Sequence, residues 1–194
     1  MNNASYEYTR VERPLIDQLK SMGWAHIEGD TQTPGHTERQ SFREVRLKER
    51  LRGAIRRINR DDTGEPWMDD GRVNQAVSAL ERLGEPNLME ANQRATELLT
   101  QGTTVEGDSE RHAGREQTVH FIDYDHAERN DFLVINQFRV DPPWAVGDKD
   151  YIIPDLVLFV NGIPLVVIEC KSPDKYRPGG GRHQATAPLH EPTR

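Results

Sequence analysis

Apolar residues recur with a helical period over the first hundred positions and with a strand period after residue 116. Val11, Leu15, Ile16 and Leu19 fall at i, i+4, i+5 and i+8, the stripe of a half-buried helix over Ser5 to Met22, with Gly23 as its stop. Pro14 lies inside this stretch, so the helix is expected either to begin near Arg13 with the proline in its first turn or to be kinked. After a loop at Thr31 to Thr37, the segment Ser41 to Asn59 predicts a second helix, with Phe42, Val45, Leu47, Leu51, Ile55 and Ile58 as its apolar positions. Ser41 and Glu44 have the spacing of a capping box at its start. Two further helices are predicted near Gly71–Leu83 and Leu88–Thr100, separated by Gly84-Glu85-Pro86, and residues 101–115 have the composition of a loop.

The later pattern is different. Thr118–Asp123, Phe132–Val140, Asp155–Val160 and Leu165–Glu169 are runs rich in β-branched and aromatic residues, bounded by turn formers. Asn161-Gly162 between the last two is a strong hairpin signal. Leu165 to Ile168 is apolar at every position, which predicts a strand buried on both faces. Residues 172–194 hold four prolines and a triple glycine with almost no apolar side chains, and are expected to be a disordered tail. The expected organisation is therefore a core of residues 1–37 and 101–171, a helical insertion over 38–100, and the tail.

Composition narrows the classes. One cysteine among 194 residues excludes an internal disulfide and a zinc site of the paired-cysteine kind, and suits a reducing cytoplasm. The first residues lack the apolar core of a signal peptide, and the stretch Leu156 to Ile168 is too short to span a bilayer, so a cytoplasmic protein without membrane contact is expected. The formal charge is −7, so bulk electrostatics do not favour duplex DNA, and any contact with it needs a local patch, a metal ion or partner subunits.

The residues with the most chemical promise are Asp155, Glu169 and Lys171, at one end of the predicted hairpin. Two carboxylates and an amine suit phosphodiester hydrolysis. Mg²⁺ takes hard oxygen ligands and keeps several waters, so Asp155, Glu169 and the Cys170 carbonyl could hold it beside a phosphate. The bound ion would make a water more acidic, while Lys171 could orient that water or offset developing charge. The hairpin sets a condition on this reading. A strict two-residue turn at Asn161-Gly162 pairs Asp155 with Ile168 and sends Asp155 and Glu169 to opposite faces; an odd loop or a bulge opposes them directly. Spacing alone favours a strand end carrying solvated charges; the apolar strand beside them shifts the balance, since charge at the end of a buried strand is costly unless paired or bound to a metal.

The phrases NDFLVINQF, PDLVLFVNG and PLVVIECK, within residues 116–173, closely resemble the amino-terminal nuclease domain of the R subunit of type I restriction–modification enzymes, a branch of the PD-(D/E)xK superfamily. The resemblance extends more weakly to the first helix. It implies an α/β fold of the restriction-endonuclease type: a mixed central sheet with flanking helices and the helical insertion, left incomplete at the C-terminus. It also implies Mg²⁺-dependent cleavage of double-stranded DNA, in an ATP-dependent complex with methyltransferase and specificity subunits. Asp155 and Glu169 correspond to the metal-binding carboxylates, Lys171 to the catalytic lysine, and Glu12 to an acidic residue on the first helix that completes the metal shell. Two departures stand beside this. The family carries a Gln and, four residues later, a Tyr after the lysine, whereas here Gln184 is followed by Pro188; and no phosphate-loop motif of an ATP-driven motor is present. A truncated, inactive assembly module is the alternative expectation.

Other positions carry residue types capable of chemistry. Residues 39–60 contain nine Arg and Lys against Glu44 and Glu49, which makes Arg43, Arg46, Arg50 and Arg57 candidates for phosphate contact, or else a solvated face or subunit interface. Cys170 is expected to be a buried strand residue rather than a nucleophile. His120 and His126, around Asp123 and Asp125, are expected at a strand end and loop rather than on a metal.

Overall fold

The computed structural model describes residues 8–82, 87–143 and 150–171. In chain order it contains a π turn (Tyr8–Glu12) running into α1 (Arg13–Ser21), then β1 (Ala25–Glu28), α2 (Lys48–Ile58), α3 (Asp70–Glu81) and α4 (Leu88–Gln101). There follow β2 (Thr103–Val105), the short α5 (Ser109–His112), β3 (Gln117–Val119), β4 (Phe132–Asn136), β5 (Leu156–Val160) and β6 (Ile163–Ile168). Among the described residues no helix is long and apolar enough to cross a membrane.

The main sheet has the order β1-β4-β5-β6, with β1 parallel to β4 and the other neighbours antiparallel. β4 and β5 are central and buried on both faces, which is why their sequences are almost continuously apolar. One face carries α1: Ile16 and Leu19 pack with Val134, Leu156, Leu158 and Cys170. On the other face Leu133, Ile135, Val157 and Phe159 pack with Leu47 and Phe138. A third cluster joins α2, α3 and α4 to the β2–β3 ribbon through Leu51, Ile55, Val73, Leu80, Leu98, Val119 and Phe121, and Ile163 at the start of β6 ties it to the main sheet. The expected α/β class and mixed central sheet are both present.

Several local expectations are corrected by tertiary contacts. Pro14 does occupy the first turn of α1, and the chain before it forms the π turn. The helix expected from Ser41 starts only at Lys48. The capping-box pair forms other bonds, with Gln40 N donating to Glu44 Oε2 and Arg43 N to Ser41 Oγ, and these close a turn rather than open a helix. The preceding stretch is instead held by Arg39, which is only 3% exposed. Its guanidinium donates to Thr37 Oγ1 and to the carbonyls of Glu44 and Arg139, and lies 3.7 Å over the Phe138 ring. Burial lowers its pKa to about 10. Residues 101–115 contain β2 and α5 where only loop was expected, and β1 was missed because four residues are too few to show a period.

β6 reverses another expectation. It is the edge of the sheet among the described residues, and Leu165, Val166 and Val167 are 41%, 46% and 61% exposed rather than buried on both faces. An apolar run can come from an edge strand as well as a central one, since composition carries no information about how many neighbours a strand has. The predicted tail, residues 172–194, lies outside the described residues.

Candidate active site

The β5–β6 hairpin decides whether Asp155 and Glu169 meet. Its turn is Asn161-Gly162, with φ of +54° and +77°, the positive values that a tight type I′ turn needs. Val160 pairs with Ile163 and Phe159 with Pro164, and then the register shifts by one, so that Leu158 pairs with Val166, Val157 with Val167 and Leu156 with Ile168. Leu165 is the extra residue of a β-bulge. One step beyond Leu156 and Ile168, the shifted register opposes Asp155 to Glu169. The turn is thus the strict two-residue one, and the bulge supplies the odd count that a shared site requires.

Side-chain contacts agree with that register. Cys170 N donates to Asp155 Oδ2 at 2.6 Å, which holds the aspartate against the strand that carries Glu169. Lys171 Nζ lies 3.8 Å from Glu169 Oε2, with the two side chains 78% and 55% exposed. Both charges face solvent, where a substrate can reach them. Glu12, at the end of the π turn before α1, is only 5% exposed. The Cys170 thiol is pushed above its ordinary pKa, first by burial and then by the carboxylates of Asp155, Glu12 and Glu169, with Lys171 opposing them. Three acids therefore share its surroundings, and the thiol stays neutral at ordinary pH. A neutral buried thiol fits a packing residue, not a nucleophile.

Among the described residues no three His, Cys, Asp or Glu side chains converge tightly enough to hold a metal ion. Asp155 and Glu169 are brought together, while Glu12 comes into the neighbourhood but not into one shell with them. The donor set still suits Mg²⁺, which commonly takes one or two carboxylates and fills its octahedron with water and phosphate oxygens. Two hollows among the described residues, of about 490 and 410 Å³, lie elsewhere, along Ile58–Thr63 with Trp67 and His112, and along Asp123–His126 with Arg129. Enclosed volume is a poor guide to a site that must accept a duplex from outside.

The arginines expected to contact DNA are mostly otherwise engaged. Arg46 donates to Leu80 O and reaches Glu81. Arg50 sits between Glu38 and Asp131, at 2.6–2.7 Å, and these partners hold its pKa above the ordinary value. Arg57 donates to Arg129 O and Asn161 Oδ1. Of the four, Arg43 and Arg57 are exposed, and Arg57 is already engaged by these carbonyl and carboxamide oxygens. The basic run thus fastens α2 to its neighbours, which composition could not distinguish from a phosphate-binding face. The acidic loop behaves as expected: Asp123 Oδ1 accepts from the backbone of Asp125 and His126, closing a turn.

Asn161, which the sequence marked only as a turn former, does more. It is fully buried; its Nδ2 donates to Phe121 O and Asn130 Oδ1, and its Oδ1 accepts from Asp131 N, each at 2.8 Å. Gly162 packs so closely on the start of α2 that a Cβ there would lie 2.5 Å from Leu47 O. Leu47 N also donates to Gly162 O at 2.9 Å. The far end of the hairpin is therefore anchored to α2, the chain just after β3 and the chain before β4, and this fixes where the near end, with Asp155 and Glu169, comes to lie.

Comparison with known proteins gives these features a context. The family model described as type I restriction enzyme R protein N terminus matches residues 5–186. The type I restriction enzyme HindI endonuclease subunit of Haemophilus influenzae is 30% identical over 165 residues, 84% of this chain and 15% of that protein. A Methanocaldococcus jannaschii protein, provisionally named type I restriction enzyme MjaIXP endonuclease subunit, is 32% identical over 163 residues, again 84% of this chain and 15% of that protein. A second protein of that organism, provisionally named as the MjaVIIIP endonuclease subunit, is 28% identical over 171 residues. The chain spans about 15% of the length of these relatives. With every described residue inside one family match, the chain belongs to the family of type I restriction enzyme R protein N termini.

Proposed function

We propose that this chain is the Mg²⁺-dependent endonuclease module of a type I restriction system, cleaving double-stranded DNA by hydrolysis of a phosphodiester bond. The observation that carries the reading is the Leu165 bulge, which opposes Asp155 and Glu169 across a hairpin whose turn alone would separate them. Asp155 and Glu169, with the Cys170 carbonyl, would hold the ion, which supplies an acidic water and offsets charge on the phosphate. Asp155 uses Oδ2 for the Cys170 N–H, which leaves Oδ1 for the ion. Lys171, exposed and paired loosely with Glu169, is placed to orient the attacking water or to meet the anionic transition state. Glu12 supports the site through its field rather than as a direct ligand.

With a net charge of −7, the chain is a poor DNA binder on bulk electrostatics, and α2 spends most of its arginines internally. This supports a module that works within a complex. Its relatives are named as endonuclease subunits of type I enzymes. We therefore assign double-stranded DNA and the methyltransferase and specificity subunits as partners, with ATP used by a motor outside the present sequence. A second reading, an inactive assembly module, draws on the lack of a three-carboxylate shell among the described residues and on the exposed apolar edge at Leu165–Val167.

A plasmid-nicking assay titrated with Mg²⁺ separates the two readings. Nicking should rise with the metal in the wild type and disappear in Asp155→Ala, a loss of several kcal/mol of transition-state stabilisation. Nicking that is unaffected by Asp155→Ala would remove the proposed site.

A further inference from the structure

Gln137 follows the last residue of β4 and has a φ of +50°. This left-handed backbone is strained for residues with a Cβ and free for glycine. The surroundings fix it from both sides. Gln137 N donates to Asp155 O at 2.9 Å, while Gly29 N donates to Asn136 O at 3.0 Å. Gly29 approaches so closely that a Cβ on it would lie 2.2 Å from Asn136 O and 2.5 Å from Gln137 O. Next in the chain, Phe138 is 2% exposed and stacks edge-on against Phe159, with centroids 5.2 Å apart. Strain of this kind persists only where its neighbours over-determine it, and it concentrates at functional sites.

The Gln137 side chain adds an independent observation. It is half-buried, and among the described residues its carboxamide has no hydrogen-bond partner. Neither polar atom of this amide is sealed from solvent, so it stands open to water or to a substrate. Glycine would suit this backbone better, and an apolar side chain would suit a partly buried position without polar partners. The position lies at the same strand ends as Asp155, to which it is joined by a backbone hydrogen bond. A carboxamide is one of the neutral groups that contact phosphate oxygens in protein–DNA complexes.

We propose that Gln137 is a substrate-contacting residue whose carboxamide N–H donates to a phosphate oxygen of the DNA strand held at the Asp155–Glu169 centre. This rests on the nuclease reading above. Because the contact is made by an uncharged donor, it adds affinity without adding positive charge to the face.

The test measures thermal stability and binding to a short fluorescein-labelled duplex in metal-free buffer, using the 194-residue chain. Gln137→Gly should leave the melting temperature unchanged or raised, yet weaken duplex binding about tenfold or more, as loss of a hydrogen bond to a charged group does. Gln137→Glu, which keeps the shape but cannot donate and repels phosphate, should bind more weakly still. The inference is overturned by a wild type that shows no duplex binding, by Gln137→Gly binding within twofold of wild type, by Gln137→Glu binding as well as Gln137→Gly, or by a lowered melting temperature in Gln137→Gly. Asp155→Ala, run in parallel, should bind the duplex at least as well as wild type. If it nicks as wild type while the Gln137 variants lose binding, the nuclease reading falls and the Gln137 contact stands.

Discussion

The two ends of the β5–β6 hairpin are built on opposite principles. At the turn, Asn161 is fully buried and four neighbouring groups use its carboxamide, while Gly162 lies against the start of α2 with no room for a side chain. At the other end, Glu169 and Lys171 stand in solvent 3.8 Å apart, and Asp155 accepts from the Cys170 backbone N–H. The closed end gives the buried Asn161 carboxamide partners for both its oxygen and its nitrogen. The open end leaves charge exposed, which does little for stability, since an exposed ion pair contributes at most about 1 kcal/mol. Between them, the bulge at Leu165 transmits the position of the first to the second. One ribbon thus separates the residues that fix the fold from those available for chemistry.

Breaking the register should have the largest effect. An alanine inserted between Val167 and Ile168, beyond the bulge, moves Glu169 one place past Asp155 and turns its side chain to the other face. Mg²⁺-dependent nicking should fall to the level of Asp155→Ala, while circular dichroism shows a retained fold. Nicking that survives the insertion would show that strand register does not position the site.

At the closed end the effect should be on stability instead. Asn161→Ala leaves the Phe121 carbonyl and the Asp131 N–H without their buried partner and forces a side chain other than Asn or Gly into a left-handed turn. We expect a loss of about 2–4 kcal/mol in urea unfolding, from buried groups left unsatisfied and from backbone strain. A change below about 0.5 kcal/mol, the size of an ordinary surface substitution, would mean that the turn is not the anchor described here.

What the sequence made legible follows the same division. Elements with long, regular patterns were readable: α1 with Pro14 in its first turn, α3, α4, the central strands and the Asn161-Gly162 hairpin. The requirement for an odd residue between Asp155 and Glu169 was also readable, although which residue supplies it was not, because a bulge is set by packing along both strands. Positions whose role depends on distant partners were misread. Ser41–Leu47 has helical spacing, but Leu47 is drawn into the sheet core and bonded to Gly162. For Arg46, Arg50 and Arg57 the sequence leaves a phosphate-binding face and a subunit interface both open, and that Glu38, Asp131 and the Leu80 and Arg129 carbonyls lie beside them is set by the fold. β6 reads as a buried strand because sequence does not count neighbours.

The central claim is that the bulged register makes Asp155 and Glu169 one divalent-ion site, and Mn²⁺ binding followed by electron paramagnetic resonance tests it without requiring DNA, partners or turnover. Wild-type protein should remove free Mn²⁺ from solution in proportion to its concentration, and Asp155→Asn should leave the ion free. A wild type that binds no Mn²⁺, or an Asp155→Asn variant that binds it equally well, would contradict the account.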